Sequence, residues 1–228
     1  MEQIKKFGVY QDSKNKRMHK KTLYTLNLVP SKALFEEELV NDKQKEYRSW
    51  EVNRSKLGAG IKKGLSQTGI KPGDIVLYLG ASHGYTPSYV SDIVGKQGFV
   101  FCVDNAPRVV RDLIFVCEQR KNMAPILADA NHPEDYKDLI TRQVDVVYQD
   151  IAQKNQAEIF LKNCNAYLKK EGFGLLALKA RSIDVSQKPG IIYKQVRKQL
   201  EKSSMAVVDY RKLEPYEKDH AMFVCKKN

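Results

Sequence analysis

The sequence lacks the features that mark membrane-spanning, secreted and metal-binding proteins. It contains no run of about 18 apolar residues that could span a bilayer, and its N-terminus has no apolar signal-peptide core. Its four cysteines, Cys102, Cys117, Cys164 and Cys225, are far apart and have no metal-ligand spacing. We therefore expect a soluble, cytoplasmic protein without a metal site, in which these cysteines are reduced and buried.

Several nucleotide- and RNA-binding motifs are also missing. The first glycine-rich turn, residues 80–84, has the spacing G-x-x-x-G and not the dinucleotide spacing G-x-G-x-x-G, which disfavours a nucleotide-dependent dehydrogenase. The sequence has no RNP aromatic motif, no KH GXXG loop and no zinc knuckle. If the chain acts on RNA, the choice of RNA sequence must come from other components.

Positive charge is in excess, and most of the excess lies near the start of the chain. The 39 Lys and Arg residues outnumber the 27 Asp and Glu residues, which gives a formal net charge of +12. Residues 1–72 contain 16 basic and 8 acidic side chains and so carry most of this excess. The excess favours a polyanionic partner. The basic run Lys14–Lys21 could contact phosphates, although such runs are ordinarily solvated turns.

The first 52 residues predict a small β-rich unit. Within Phe7–Pro30, β-branched and aromatic segments flank a Lys/Asn-rich turn at residues 13–16, which is the pattern of a β-hairpin. We therefore expect a small basic N-terminal domain over residues 1–52, followed by a larger domain over residues 53–228.

The segment after this hairpin is less regular. Residues 31–50 are charged and show no clear period. A helix is predicted over about residues 54–68, with Asn53 or Ser55 as its N-cap. The single tryptophan, Trp50, is interpreted as a residue that packs the two domains together.

From residue 75 onward, short apolar runs alternate with helical stretches. Near-continuous apolar strands are typical of a parallel sheet buried on both faces. The last two strands are joined by a connection too short for a crossover helix, so they should pair antiparallel. The pattern predicts an α/β fold with a seven-stranded, mostly parallel, Rossmann-like sheet that ends in an antiparallel hairpin, as in class I methyltransferases. The predicted strands are 75–80, 99–104, 125–129, 144–150, 174–180, 206–213 and 221–227. One helix is predicted to begin near residue 87, and three more are predicted over about residues 108–120, 155–170 and 190–203.

Three successive predicted strands end in an aspartate, and the carboxyl ends of parallel strands meet at one edge of a sheet. Asp104 ends the second strand, 24 residues after Gly80, where a carboxylate can accept hydrogen bonds from the two ribose hydroxyls of an adenosine ligand. Asp129 ends the third strand and Asp150 the fourth. Helix capping remains an alternative for Asp104, but three such coincidences favour a ligand site.

Seven sequence blocks carry a resemblance to a known family. They read RSKLGAGI (54–61), VLYLGASHGYTPSYVSDIVG (76–95), APR (106–108), ADAN (128–131), VYQDIAQKNQAEIFLKN (147–163), LKARSID (178–184) and LEPYEKDHAMFV (213–224). In these blocks the chain resembles fibrillarin, the RNA 2′-O-ribose methyltransferase family of box C/D ribonucleoproteins, in its short archaeal form. The resemblance is specific because DIAQ-x-x-QA, KARSID and LEPYEKDHA are not general features of Rossmann-like folds.

The resemblance implies S-adenosylmethionine as the cofactor. This chain has Tyr85-Thr86 where the family usually has Thr-Thr, and Asp104-Asn105 where it usually has Glu-Phe. Together with the glycine turn, the resemblance predicts as cofactor-binding residues Gly80, Ala81, Gly84, Tyr85, Thr86, Asp104, Asn105, Asp129, Ala130, Asp150, Ile151, Ala152 and Gln153.

The resemblance also implies a catalytic Lys-Asp-Lys core with a fourth polar residue, which corresponds to Lys56, Asp150, Lys179 and His220. A lysine is ordinarily protonated at neutral pH, and a second cation and partial desolvation favour its neutral form. We hypothesise that Lys179 is the base for a ribose 2′-hydroxyl, assisted by the charge of Lys56, while Asp150 orients the lysines and the methyl donor and His220 completes the set. The alternatives are solvated lysines and a surface ion pair between His220 and Asp219.

The resemblance further implies a box C/D guide RNA, target rRNA and tRNA, a Nop-type scaffold protein and a kink-turn-binding protein as partners. The apolar face of the N-terminal unit is a candidate contact for the scaffold. Other readings are a small-molecule methyltransferase, a dehydrogenase, and a non-catalytic ribonucleoprotein subunit with a decayed methyltransferase site. The compact chain argues against a small-molecule methyltransferase, which needs extra segments to cover its pocket, and the glycine spacing argues against a dehydrogenase. A measurement of S-adenosylmethionine binding would distinguish a non-catalytic subunit from an active enzyme.

Overall fold

Two β-sheets organise the molecule in the computed structural model, which describes residues 1–12 and 22–228. The predicted turn at residues 13–16 and the basic run Lys14–Lys21 lie outside the described residues. Within these described ranges, no helix has the length and apolar character needed to cross a membrane. The four cysteines are all buried with free thiols, which confirms their predicted burial.

The smaller sheet is antiparallel, with strand order β1-β2-β3-β5-β4. The predicted hairpin is confirmed by the pairing of β2 with β3. A second hairpin, β4 with β5, was not predicted. Its two turn residues, Lys43 and Gln44, both have positive φ (47° and 63°), a conformation that Asn or Gly usually signals in a sequence. The strands are β1 (Glu2–Gln3), β2 (Val9–Gln11), β3 (Leu23–Leu26), β4 (Leu39–Asp42) and β5 (Lys45–Trp50).

The helix predicted over residues 54–68 is shorter than expected. Helix α1 covers Lys56–Lys62, and Ser55 is its N-cap, with the Ser55 Oγ accepting a hydrogen bond from the Gly58 N–H. The prediction was wrong at the C-terminal end because Gly64, with φ of 80°, takes the left-handed conformation that terminates helices. The Leu65 N–H then donates to the carbonyl of Gly60, which completes a Schellman motif.

The larger sheet has seven strands in the order β11-β12-β10-β9-β6-β7-β8. Strands β6 to β10 pair in parallel, and β12 pairs antiparallel with both β10 and β11, which confirms the predicted sheet and its terminal hairpin. The strand order reverses between β6 and β9, and ligands of such sheets bind at this switch point. The strands are β6 (Ile75–Leu79), β7 (Phe99–Asp104), β8 (Met123–Leu127), β9 (Val144–Gln149), β10 (Leu168–Lys179), β11 (Met205–Lys212) and β12 (His220–Lys227).

Both faces of the larger sheet are buried. Val76 and Tyr78 of β6 belong to a core shared with the smaller sheet and with α1, α2 and α3, whereas Leu77 and Leu79 face a second core shared with α4 and α6. This alternation explains the near-continuous apolar strands. The remaining helices are α2 (Tyr85–Val94), α3 (Pro107–Gln119), α4 (Gln156–Tyr167), α5 (Ala180–Ile183) and α6 (Pro189–Glu201).

Buried polar and aromatic contacts join the two sheets. Asp92 on α2 accepts charged hydrogen bonds from Arg48 on β5, at 2.9 Å, and from Arg120 after α3, at 2.7 Å. All three side chains are fully shielded from solvent. Trp50 stacks on Tyr89 of α2 with ring centroids 4.8 Å apart, so it packs the smaller sheet against the larger one, as predicted.

Candidate active site

The turn after β6 brings the backbone close to the end of β9. Gly80 has φ of 77°, and a Cβ atom there would lie 2.3 Å from the carbonyl oxygen of Asp150. The N–H groups of Gly80 and Ala81 both donate to the carbonyl of Val103, at 2.9 and 3.1 Å. Glycine is therefore required at position 80 both by backbone conformation and by the close approach of the β9 loop.

A cavity of about 270 Å³ opens beside this turn, at the carboxyl ends of β6, β7, β8 and β9. The cavity lies at the switch point, which is where parallel α/β sheets bind ligands. Three of its lining residues, Ser82, Val103 and Ala128, were not predicted, although each adjoins a predicted residue in the chain. The predicted cofactor residues that line it are Gly80, Asp104, Asn105, Asp129, Ala130, Asp150, Ile151, Ala152 and Gln153.

Four predicted cofactor residues lie outside this lining, and they are Ala81, Gly84, Tyr85 and Thr86. Thr86 is buried and donates from Oγ1 to the Oγ of Ser55 at 3.0 Å. The Tyr85 ring packs under the guanidinium of Arg54 at 4.2 Å and edge-on to Phe35. These contacts direct both side chains toward α1 and the smaller sheet, so a cofactor role for the four residues stays a prediction.

Backbone hydrogen bonds orient two of the predicted carboxylates at the cavity. Asp104 accepts from the N–H groups of Ser82 at 2.9 Å and Ala106 at 3.1 Å. Asp129 accepts from the backbone and side-chain amides of Asn131, both at 2.9 Å, and these hydrogen bonds lower the pKa of Asp129. Asp129 lies two residues beyond the end of β8, not at the strand end as predicted. Its carboxylate is ionised at neutral pH.

An ion pair connects the cavity to helix α1. Lys56, the first residue of α1, places its Nζ 3.0 Å from Oδ1 of Asp150, which itself lines the cavity. Burial alone would lower the pKa of Lys56, but the charge and hydrogen bond of Asp150 outweigh burial and raise it. Lys56 therefore remains protonated at neutral pH, with its charge largely compensated by Asp150.

The other two predicted catalytic residues are cross-strand neighbours. Lys179 at the end of β10 lies directly opposite His220 at the start of β12. Directly opposed side chains in an antiparallel pair share one face, with Cβ atoms roughly 4.5–5.5 Å apart. The Lys179 side chain is half-buried and makes no ion pair within residues 1–12 and 22–228. Of the two lysines in the predicted Lys-Asp-Lys set, Lys56 is paired with Asp150, and Lys179 remains available to a ligand.

The His220 ring is held in one tautomer. Its Nδ1 lies 2.6 Å from the carbonyl of Lys218, which can only accept, so Nδ1 carries the hydrogen and Nε2 of the neutral ring is an acceptor. Burial and the nearby charge of Lys56 lower the pKa of His220. Asp219 pairs with Arg181 at 3.0 Å, so the alternative of an ion pair between His220 and Asp219 is wrong.

Glu217 belongs to the same cluster and was not predicted from the sequence. Its Oε2 lies 3.8 Å from Nδ1 of His220. Its negative charge adds to the raised pKa of Lys56 and partly offsets the lowering of the His220 pKa by burial. The sequence feature that could have indicated Glu217 is its position in the LEPYEKDHA block, three residues before His220. The structure thus brings Lys56, Asp150, His220 and Glu217 into one electrostatic cluster, with Lys179 opposite His220.

Comparisons with known proteins agree with this architecture. A family model described as Fibrillarin matches residues 1–228. The chain is similar to the fibrillarin-like rRNA/tRNA 2′-O-methyltransferase of Methanococcus voltae, with 48% identity over 204 residues, which are 90% of this chain and 89% of that protein.

Solved structures extend the similarity to three dimensions. The fibrillarin pre-rRNA processing protein of Methanococcus jannaschii superposes with a TM-score of 0.92 and 43% identity, covering 97% of this chain and 94% of its own. An Aeropyrum pernix fibrillarin with natively bound S-adenosyl-L-methionine has a TM-score of 0.88 and 39% identity, with coverages of 98% and 96%. A fibrillarin in complex with Nop5p has a TM-score of 0.85 and 34% identity, with coverages of 98% and 99%.

Proposed function

Because the chain belongs to the fibrillarin family, we propose that it is an S-adenosylmethionine-dependent methyltransferase that methylates ribose 2′-hydroxyls of rRNA and tRNA. One observation carries this proposal. Asp150 lines the cavity at the sheet edge and also holds the ammonium group of Lys56, so the ligand cavity and the charged cluster share a residue. The bound cofactor and the groups that transfer protons would therefore lie next to each other at Asp150.

The residues of the cavity fit an adenosyl ligand. Asp104, fixed by two backbone N–H groups, presents a carboxylate suited to two ribose hydroxyls, and the bare backbone of Gly80 permits close approach. A volume of about 270 Å³ is slightly below the roughly 300 Å³ at which the range of small-molecule sites begins. When bound, S-adenosylmethionine supplies a sulfonium methyl group that a ribose oxygen can attack as its proton is removed.

The chain's own groups have separate roles in that transfer. Lys179, which has no counter-ion among the described residues, is assigned as the proton acceptor for the 2′-hydroxyl. Lys56 is a fixed cation held by Asp150, and the Asp150 carboxylate favours a positively charged centre in the cavity. Neutral His220 offers Nε2 as a hydrogen-bond acceptor on the face that it shares with Lys179.

We assign RNA selection to other components. The sequence has none of the three RNA-recognition motifs considered above, and its basic excess suits phosphate contacts of low sequence specificity. A similar fibrillarin was solved with Nop5p, which supports a Nop-type scaffold protein as a partner here. A box C/D guide RNA and a kink-turn-binding protein complete the proposed assembly.

Reconstitution tests the proposal. The chain is mixed with a Nop-type scaffold, a kink-turn-binding protein, guide RNA, target RNA and methyl-labelled S-adenosylmethionine. We expect label on one guide-selected nucleotide, and none when the guide is changed to a non-pairing sequence. A non-catalytic subunit would give no label in the complete mixture and would bind S-adenosylmethionine weakly or not at all in calorimetry.

A further inference from the structure

The end of strand β10 extends beyond its parallel partner. Strand β9 pairs with β10 as far as Gln149 opposite Leu176, and Lys179 lies three residues further along. Beyond the end of β9, the side chain of Gln156, the first residue of α4, makes the hydrogen bonds to this edge of β10 that a neighbouring strand would otherwise make. Its Oε1 accepts the Lys179 N–H at 2.9 Å, and its Nε2 donates to the Lys179 carbonyl at 3.0 Å.

The same amide also holds the loop that lines the cavity. Nε2 of Gln156 donates its second hydrogen to the carbonyl of Gln153 at 2.7 Å. The backbone carbonyl of Gln156 accepts from the side chain of Gln149 at 2.7 Å. Gln156 therefore links the end of β9, the loop of residues 150–153 and the end of β10.

Burial makes this link rigid. Gln156 is completely shielded from solvent, and both of its amide hydrogens and its oxygen are hydrogen-bonded to main-chain atoms. On the opposite edge of β10, Lys179 faces His220, and the next N–H, that of Ala180, donates to the carbonyl of Asp219 at 3.0 Å. The backbone at Lys179 is thus fixed from both sides.

We propose that Gln156 is a positioning residue for methyl transfer, which fixes the Lys179 backbone relative to the cavity loop of residues 150–153. Gln156 does not line the cavity, so it acts through Lys179 and Gln153. This inference rests on the proposed function, because it assigns the base to Lys179 and the methyl donor to the cavity. Gln156 is the second glutamine of DIAQKNQA, for which the sequence alone predicted no role.

The test compares two isosteric variants, Gln156→Met and Asn122→Leu. Asn122 is a matched control because it is also buried and makes three amide hydrogen bonds, to Ser91 and Gly95, which do not line the cavity. Both variants should lower the Tm. At a temperature where both are folded, Gln156→Met should lower kcat about 100-fold, as expected for a misplaced catalytic group.

Two further readouts separate positioning from general destabilisation. In Gln156→Met we expect the S-adenosylmethionine Kd to rise only roughly ten-fold, since the loop loses one anchoring hydrogen bond. We also expect the Lys179 amide to exchange its hydrogen faster. Asn122→Leu should leave kcat, Kd and the exchange of that amide unchanged.

Two results would overturn the inference: wild-type kcat in Gln156→Met, or an equal loss of kcat in Asn122→Leu. If Gln156→Met does not fold, Gln156→Asn replaces it, because the amide one methylene shorter keeps the polar groups in the buried site but cannot reach both Lys179 and Gln153. A wild-type chain that neither binds the cofactor nor methylates RNA would instead refute the proposed function, and this inference with it.

Discussion

Lys179 and His220 form a directly opposed pair across β10 and β12, and the main-chain groups of Lys179 are hydrogen-bonded to Gln156 and not to His220. Such non-hydrogen-bonded antiparallel pairs bring their side chains closest together. Lys179, which has no counter-ion among the described residues, thus shares a face with His220, and His220 belongs to the cluster that contains Lys56 and Asp150.

Replacing Lys179 tests its assigned role as the base. We expect Lys179→Ala to abolish methyl transfer and to leave the calorimetric Kd for S-adenosylmethionine nearly unchanged, because Lys179 does not line the cavity. Lys170, an exposed lysine of the same strand, supplies the control. Lys170→Ala should retain wild-type activity, and full activity in Lys179→Ala would refute the assignment.

His220 makes stability depend on pH. The folded protein lowers the pKa of His220 below its ordinary value of 6.5, chiefly by burial, so the unfolded chain binds this proton more tightly. The free energy of unfolding should therefore decrease as pH falls below about 6.5. In urea titrations between about pH 7.5 and 5, His220→Gln should reduce this decrease.

A His220→Gln variant whose stability falls as steeply as that of the wild type would show that His220 is not desolvated in the folded protein.

Gly80 tests the close approach of the glycine turn to the β9 loop. Gly80 and Gly73 both have positive φ, but a Cβ at Gly73 would meet no atom of the described residues within 4 Å, whereas a Cβ at Gly80 would clash with the Asp150 carbonyl. Gly73→Ala should lower the unfolding free energy by about 1–2 kcal/mol, the cost of the left-handed conformation alone. Gly80→Ala should cost more and abolish cofactor binding. Equal effects of the two substitutions on denaturation and calorimetry would contradict this geometry.

Asp92 tests the buried ion-pair network between the sheets. Asp92→Asn removes the charge that compensates Arg48 and Arg120 in a solvent-free site, which should lower the unfolding free energy by about 3–5 kcal/mol. The exposed helical pair of Arg197 with Glu201 is the comparison, and Glu201→Ala should cost less than about 1 kcal/mol. Urea denaturation would measure both, and similar small losses would contradict the importance of the buried network.

The larger sheet could be predicted because its pattern is local. Strands buried on both faces require near-continuous apolar runs, so β6, β7 and β9 are visible in the sequence, and the short connection before β12 fixes the antiparallel end. The hairpin of β4 and β5 was hidden because Lys43 and Gln44 take positive φ without a residue type that signals it.

The site was predicted less completely, since its missing parts depend on contacts distant in sequence. Nine of the predicted cofactor residues line the cavity because they follow strand ends. Gln156 binds Lys179 across 23 residues, and nothing in the local pattern of a helix start shows such a bond. Glu217 joins the cluster through the fold of the β11–β12 connection, which brings it near Lys56.

The site of methylation is tested most directly with target RNA that has a single 2′-deoxy substitution at the guide-selected nucleotide, in the reconstituted complex with methyl-labelled cofactor. We expect one methyl group per unmodified target, located on that ribose, and no label on the deoxy target. Equal labelling of the deoxy target would contradict this expectation, because the methyl group would then be attached to an atom other than the 2′-oxygen.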